Sequence, residues 1–171
     1  MITISSAYAN KLLKKLMEEK NFIISTENKR KTYTVYASET NVVVPEYNFL
    51  NTQKQLKNID EMILKIKHAL NIFNTTTEIM DGLTIDEALV KMSIISNRLS
   101  NLKYMCDIQE IESGSNYKGE TYKTYANFDH DDVKSTYNSL SKELSEIQLA
   151  LDKTNMNNTF DVDIDENVLN I

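Results

Sequence analysis

At 171 residues and 19.7 kDa, with 41% apolar and 26% charged side chains, the chain is long enough for one domain with a buried core. Its three Gly and one Pro fall far below the roughly twenty that average usage predicts, which excludes a turn-rich β sandwich and leaves long helices. A formal charge of −6 excludes sequence-independent attraction to long nucleic acid.

In chain order, Leu12, Leu13, Leu16, Met17, Ile23 and Ile24 mark a first helix. Two stretches rich in Thr, Tyr and Val follow, Thr32 to Ala37 and Val42 to Pro45, a composition that predicts extended chain. Leu56, Ile59, Ile63, Ile66, Leu70 and Phe73 recur at steps of three and four, the heptad seam of a second, coiled-coil-like helix. Asp81-Gly82 is a turn dipeptide, and Thr84 with Glu87 forms a capping box that starts helix three near Ile85. That helix is expected to bury Ile85, Leu89, Met92, Leu99, Leu102 and Cys106, thickened by Ile94 and Ile95.

Tyr122 to Phe128 is again extended in composition. Acidic residues at Asp129, Asp131 and Asp132 suit the positive end of a fourth helix, whose seam is Val133, Tyr137, Leu140, Leu144, Ile147 and Leu151. From Phe160 the chain alternates, with Phe160, Val162 and Ile164 against Asp161, Asp163 and Asp165, which is the period of a strand. Each helical seam is one stripe wide, so the helices must pack on one another. The expected fold class is mainly α, an elongated antiparallel bundle of about four helices with a small β element at one end. Residues 1–160 form a single domain in this reading, and 161–171 an acidic tail that can add to a sheet edge or fray. The β element is expected to join the connection between helices one and two to that between three and four.

Few residues offer reactive chemistry. Cys106 falls on an apolar seam, where a thiol is inert, and His68 and His130 have no further ligand at metal-binding spacing. Asp161, Asp163 and Asp165 match the first three ligand positions of an EF-hand loop, but Glu166 stands where that loop needs Gly. Gly82, Gly114 and Gly119 are too far apart for a phosphate loop. The expectation is therefore no catalysis, no cofactor and no metal. A single cysteine and the lack of a basic-then-apolar leader point to the cytoplasm without a membrane partner. One constellation remains: Lys31, Tyr33 and Tyr36 in one extended stretch and Tyr122, Lys123 and Tyr125 in the other would, on a shared sheet, set aromatic faces beside cations, as an anionic or nucleotide-like ligand requires.

Asn74-Thr75-Thr76-Thr77, the run Asp81-Gly82-Leu83-Thr84-Ile85-Asp86-Glu87-Ala88-Leu89, Arg98-Leu99, the stretch from Lys123 to Val133 and Ser141-Lys142-Glu143-Leu144 together resemble a family of small bacterial helical proteins labelled septicolysin-like, over about residues 66–160. The resemblance implies a helical hairpin bundle with a small β portion. Three functions follow as expectations. The first is a non-catalytic scaffold or interaction protein that forms a homo-oligomer, and the second a binder or sequesterer of a small anionic or nucleotide-like ligand. A membrane-active toxin is the third, implied by the family label alone.

Overall fold

A computed structural model describes residues 1–38 and 40–165. Helix accounts for 63% of it, in four segments with short antiparallel strand pairs between them. The order is β1 (Ile2–Ile4), α1 (Ser6–Arg30), α2 (Phe49–Thr76), β2 (Glu78–Met80), β3 (Leu83–Thr84), α3 (Ile85–Cys106), β4 (Ile111–Ser115), β5 (Thr121–Tyr125), α4 (His130–Asn157) and β6 (Phe160–Val162). The chain divides into two compact units, where composition suggested one domain. Met1–Phe73 and the described residues from Asn155 onward make the first; Asn74–Thr154 makes the second.

In the first unit α1 and α2 form an antiparallel hairpin. Glu27 accepts a hydrogen bond from Gln53 at 3.3 Å and Lys20 pairs with Asp60 at 2.6 Å, so residue numbers fall along α2 as they rise along α1. Ala9, Leu12, Leu13 and Leu16 of α1 pack against Ile59 and Ile66 of α2. The small Ala9, fully buried, belongs to this seam, whereas Met17 is 45% exposed. Core completion comes from the two chain extremities. β1 pairs antiparallel with β6, Ile2 opposite Val162 and Ile4 opposite Phe160, and Ile4, Val162 and Ile164 are all buried in the same cluster. The alternating segment thus supplies a strand and core side chains through Ile164, while its outward acids meet Thr3, whose hydroxyl donates to Asp161 at 2.6 Å, and Lys65, 3.4 Å from Asp163. Glu166, the EF-hand departure, and the rest of the tail lie outside the described residues.

In the second unit α3 and α4 form the other hairpin. Lys91 meets Glu143 at 2.7 Å, and His130 at the start of α4 donates from Nε2 to the Ile108 carbonyl at 2.8 Å just beyond α3, so these helices are also antiparallel. Asp81 and Gly82 both take positive φ, 46° and 76°, the requirement of the tight turn that joins β2 to β3. The Thr84 hydroxyl accepts from Glu87 N while the Glu87 carboxylate accepts from Thr84 N at 2.9 Å, and α3 starts at Ile85 as the capping box predicts.

The α3 seam requires a correction. Ala88 is fully buried, and the stripe runs Ile85, Ala88, Met92, Ile95, Leu99, Leu102, while Leu89 is half exposed and Cys106 is exposed. Ile85, Met92, Ile95, Leu99 and Leu102 stand as expected; Ala88 takes the place of Leu89, and a small residue there lets α3 pack against Leu140 and Ile147. The α4 seam, from Val133 to Leu151, follows the sequence pattern throughout.

Candidate functional site

A two-stranded arm formed by β4 and β5 stands out in the second unit. Its register is Ile111 opposite Tyr125, Ser113 opposite Lys123 and Ser115 opposite Thr121. Asn116 organises the turn: its side-chain oxygen accepts from the backbone N of Lys118 and Glu120 at 2.9 and 3.0 Å, its amide donates to Glu120 Oε2 at 2.7 Å, and Gly119 takes φ 78°. At its base the Ala126 amide donates to the Glu110 carbonyl. Among the ten strand residues only Gly114 is less than exposed. Side chains alternate across the ribbon, so Ile111, Lys123 and Tyr125 share one face and Glu112, Tyr122 and Thr124 the other. The Tyr122 ring lies across the strand onto Gly114, where a β-carbon would sit 2.6 Å from both Cζ and Oη. At the turn Tyr117 is 93% exposed, with Lys118 Nζ 5.7 Å from its ring centre.

This geometry corrects the expected shared sheet. β5 pairs with its sequence neighbour β4, and residues 32–36 and 42–47 form no strand. Tyr122, Lys123 and Tyr125 therefore belong to the arm of the second unit, whereas Lys31, Tyr33 and Tyr36 belong to the α1–α2 connection of the first. Lys31 caps α1 through its amide, which donates to the Glu27 carbonyl, and its Nζ donates to Asn28 at 2.9 Å. Thr, Tyr and Val favour a pleated chain only where a partner strand is offered, and Tyr33, Val35, Tyr36 and Val43 remain exposed without one. The connection is held by other means. Tyr47 donates to Glu27 at 2.6 Å, and Arg30 to the Glu46 carbonyl at 3.4 Å. This hydrogen bond, burial and the Glu27 charge together push the Tyr47 phenol above its ordinary pKa.

A second feature, invisible in the sequence, is an open groove of about 450 Å³ in the first unit. Glu19 and Ile23 of α1, Asn58 and Met62 of α2, and Ile164 beyond β6 are among its lining residues. One carboxylate oxygen of Glu19 is buried there and makes no hydrogen bond among the described residues. The histidines and the thiol are separate from one another: His68 is exposed on α2, His130 lies at the base of the arm beside Ile111 and Ala126, held by the Ile108 carbonyl with the Phe128 ring 5.0 Å away, and Cys106 ends α3. Among the described residues no helix is long and apolar enough to cross a membrane.

A model of a family of unknown function, DUF6847, matches residues 37–160. The chain belongs to that family. This overturns the septicolysin-like resemblance: the capping and turn residues that suggested it are devices many helical hairpins share, and with it goes the only support for a membrane-active toxin. No curated protein matches the chain. Among solved structures it is similar to a functionally unknown conserved protein from Corynebacterium diphtheriae, with 15% identity, 94% of this chain and 100% of that chain covered, and a TM-score of 0.62. At that identity the likeness is one of fold.

Proposed function

We propose that the protein is a non-catalytic interaction module of the cytoplasm that associates with itself. The observation that carries this reading is the β4–β5 arm. A lone two-stranded ribbon is marginally stable in water, yet this one presents Ile111, Tyr117, Tyr122 and Tyr125 to solvent, each more than half exposed. Exposed aromatic side chains are what binding surfaces use, because they gain contact area at small entropic cost. The helical hairpins agree with this, since each buries a single stripe and leaves Leu64, Val90, Ile94 and Leu149 outward.

Light scattering across a concentration series tests the reading. A mass above that of one chain, rising with concentration, is expected; one chain mass throughout would reject it. The ligand-binding alternative required Tyr33 or Tyr36 on a sheet with Tyr122 or Tyr125, and no such sheet forms.

A further inference from the structure

We infer that β4 is the strand through which two copies of the chain pair, edge to edge about a two-fold axis at Ser113; this rests on the self-association proposed above. The inference starts from where the backbone groups point. In the arm, Asn116 N donates to the Glu120 carbonyl and Ala126 N to the Glu110 carbonyl, both at 3.0 Å. Hydrogen-bonded and open pairs alternate along an antiparallel ladder. Residues 112 and 114 therefore spend their backbone groups on β5, and Ile111, Ser113 and Ser115 point theirs away from it. Thr121, Lys123 and Tyr125 do the same on the opposite edge.

Among the described residues both edges are open, since β4 and β5 make a sheet of two strands, but they differ in charge. Two-fold pairing of β5 centred on Lys123 would set Lys123 directly against its copy, and like charges so placed are destabilising. An edge lysine is also a common guard against such pairing. Two-fold pairing of β4 centred on Ser113 sets Ser113 against Ser113, Ile111 against Ser115 and Glu112 against Gly114. No like charges stand directly opposite one another, the two Glu112 side chains being diagonal neighbours on one face. The outward groups of Ile111, Ser113 and Ser115 would then complete roughly six hydrogen bonds across the axis.

Tyr122 adds a specific complement. Its hydroxyl end lies over Gly114, as the 2.6 Å approach to a β-carbon position there shows. The residue facing Gly114 across the axis is Glu112 of the second copy. Among the described residues neither Tyr122 nor Glu112 has a side-chain hydrogen bond within its own chain, so the phenol of each copy is placed to donate to the carboxylate of the other. A Cβ at position 114 would displace the ring, which is the physical reason for glycine in an otherwise ordinary strand position.

The test uses the full chain in sedimentation runs up to about 200 μM, because a five-residue strand contact belongs with weak, reversible interfaces. Ser113→Pro removes an outward amide that the arm itself does not use, so the hairpin persists and the dimer is expected to be lost. Lys123→Pro makes the same change on the other edge and is expected to leave the dimer intact. Tyr122→Phe is expected to weaken association at least about threefold. With Cys106→Ser as background, Ser113→Cys is expected to form a disulfide-linked dimer on mild oxidation, and Lys123→Cys is not. Circular dichroism of each variant confirms that the fold survives. A wild-type dimer that Ser113→Pro leaves unchanged, and that Ser113→Cys fails to cross-link, would overturn the β4 edge while sparing self-association. A wild-type monomer at every concentration would overturn both.

Discussion

Phe73, in the last turn of α2, stacks on Phe160, the first residue of β6, with ring centroids 4.8 Å apart and 28° between planes. The contact joins the helical hairpin of the first unit to the strand that closes its core. Phe160→Ala removes one ring of the pair and part of the cover over Phe73. A loss of about 2 kcal/mol is expected in chemical denaturation. Val162→Asp, which would bury an unpaired carboxylate at a position 1% exposed, should unfold the first unit outright, visible as lost helicity.

The capping box of α3 makes stability depend on acid. Hydrogen bonds from the Thr84 amide and hydroxyl hold the Glu87 carboxyl below its usual range, with desolvation opposing them. A carboxyl depressed on folding contributes stability that is present above its unfolded value, about 4.3, and lost as pH falls through the folded one. Glu87→Gln is expected to flatten that acid limb of the melting temperature. Thr84→Ala, which removes the hydroxyl cap, should cost about 1 kcal/mol at neutral pH.

Tyr47 behaves in the opposite sense. Its pKa is raised by the bond to Glu27, so its contribution is present below the unfolded value near 10 and is lost as pH rises through the higher folded value. An ultraviolet titration should show a tyrosine step above the ordinary phenol value. Tyr47→Phe is expected to remove that late step; an unchanged titration would show that the phenol does not hold the connection.

Glu19 is a stabilisation target. Its buried oxygen, without a hydrogen-bond partner among the described residues, forfeits hydration, at a cost of order 1–3 kcal/mol for such a group. Glu19→Met keeps the length of the side chain and removes the demand. An increase of about 1 kcal/mol is expected, and a decrease would show that the carboxylate is satisfied in solution.

Much of the helical framework was legible because the seams of α2 and α4 are made of large aliphatic residues at unbroken spacing, so Ile59, Ile66, Leu140 and Ile147 announce themselves. In α3 the pattern finds Ile85, Met92, Leu99 and Leu102 but takes Leu89 in place of Ala88, because alanine carries almost no hydrophobic signal although its burial is complete. The arm was half visible. Tyr122 and Tyr125 marked β5, but Glu112, Ser113, Gly114 and Ser115 favour no strand, and the partner is chosen by the Asn116 and Gly119 turn. That turn was the available signal. The stretches Thr32 to Tyr36 and Val42 to Val44 show the converse, residues with strand preference and no ladder to join. Strand pairing between Ile2–Ile4 and Phe160–Val162 was beyond reach, since alternation shows that a strand exists and not which distant segment it meets.

The pairing of β1 with β6 gives the two units different folding histories. Every contact that builds the second unit falls within the continuous stretch Asn74–Thr154, whereas the first cannot close its core until Val162 and Ile164 are present. Local contacts form fast and distant ones wait for loop closure. On refolding, the second unit should therefore form ahead of the closed core of the first, whose α1–α2 faces stay open until β6 docks. Pulse-labelled amides should become protected first around Ile95 and Ile147 and last around Ile4 and Val162. The hairpin at the front of the sequence is, in time, the later structure.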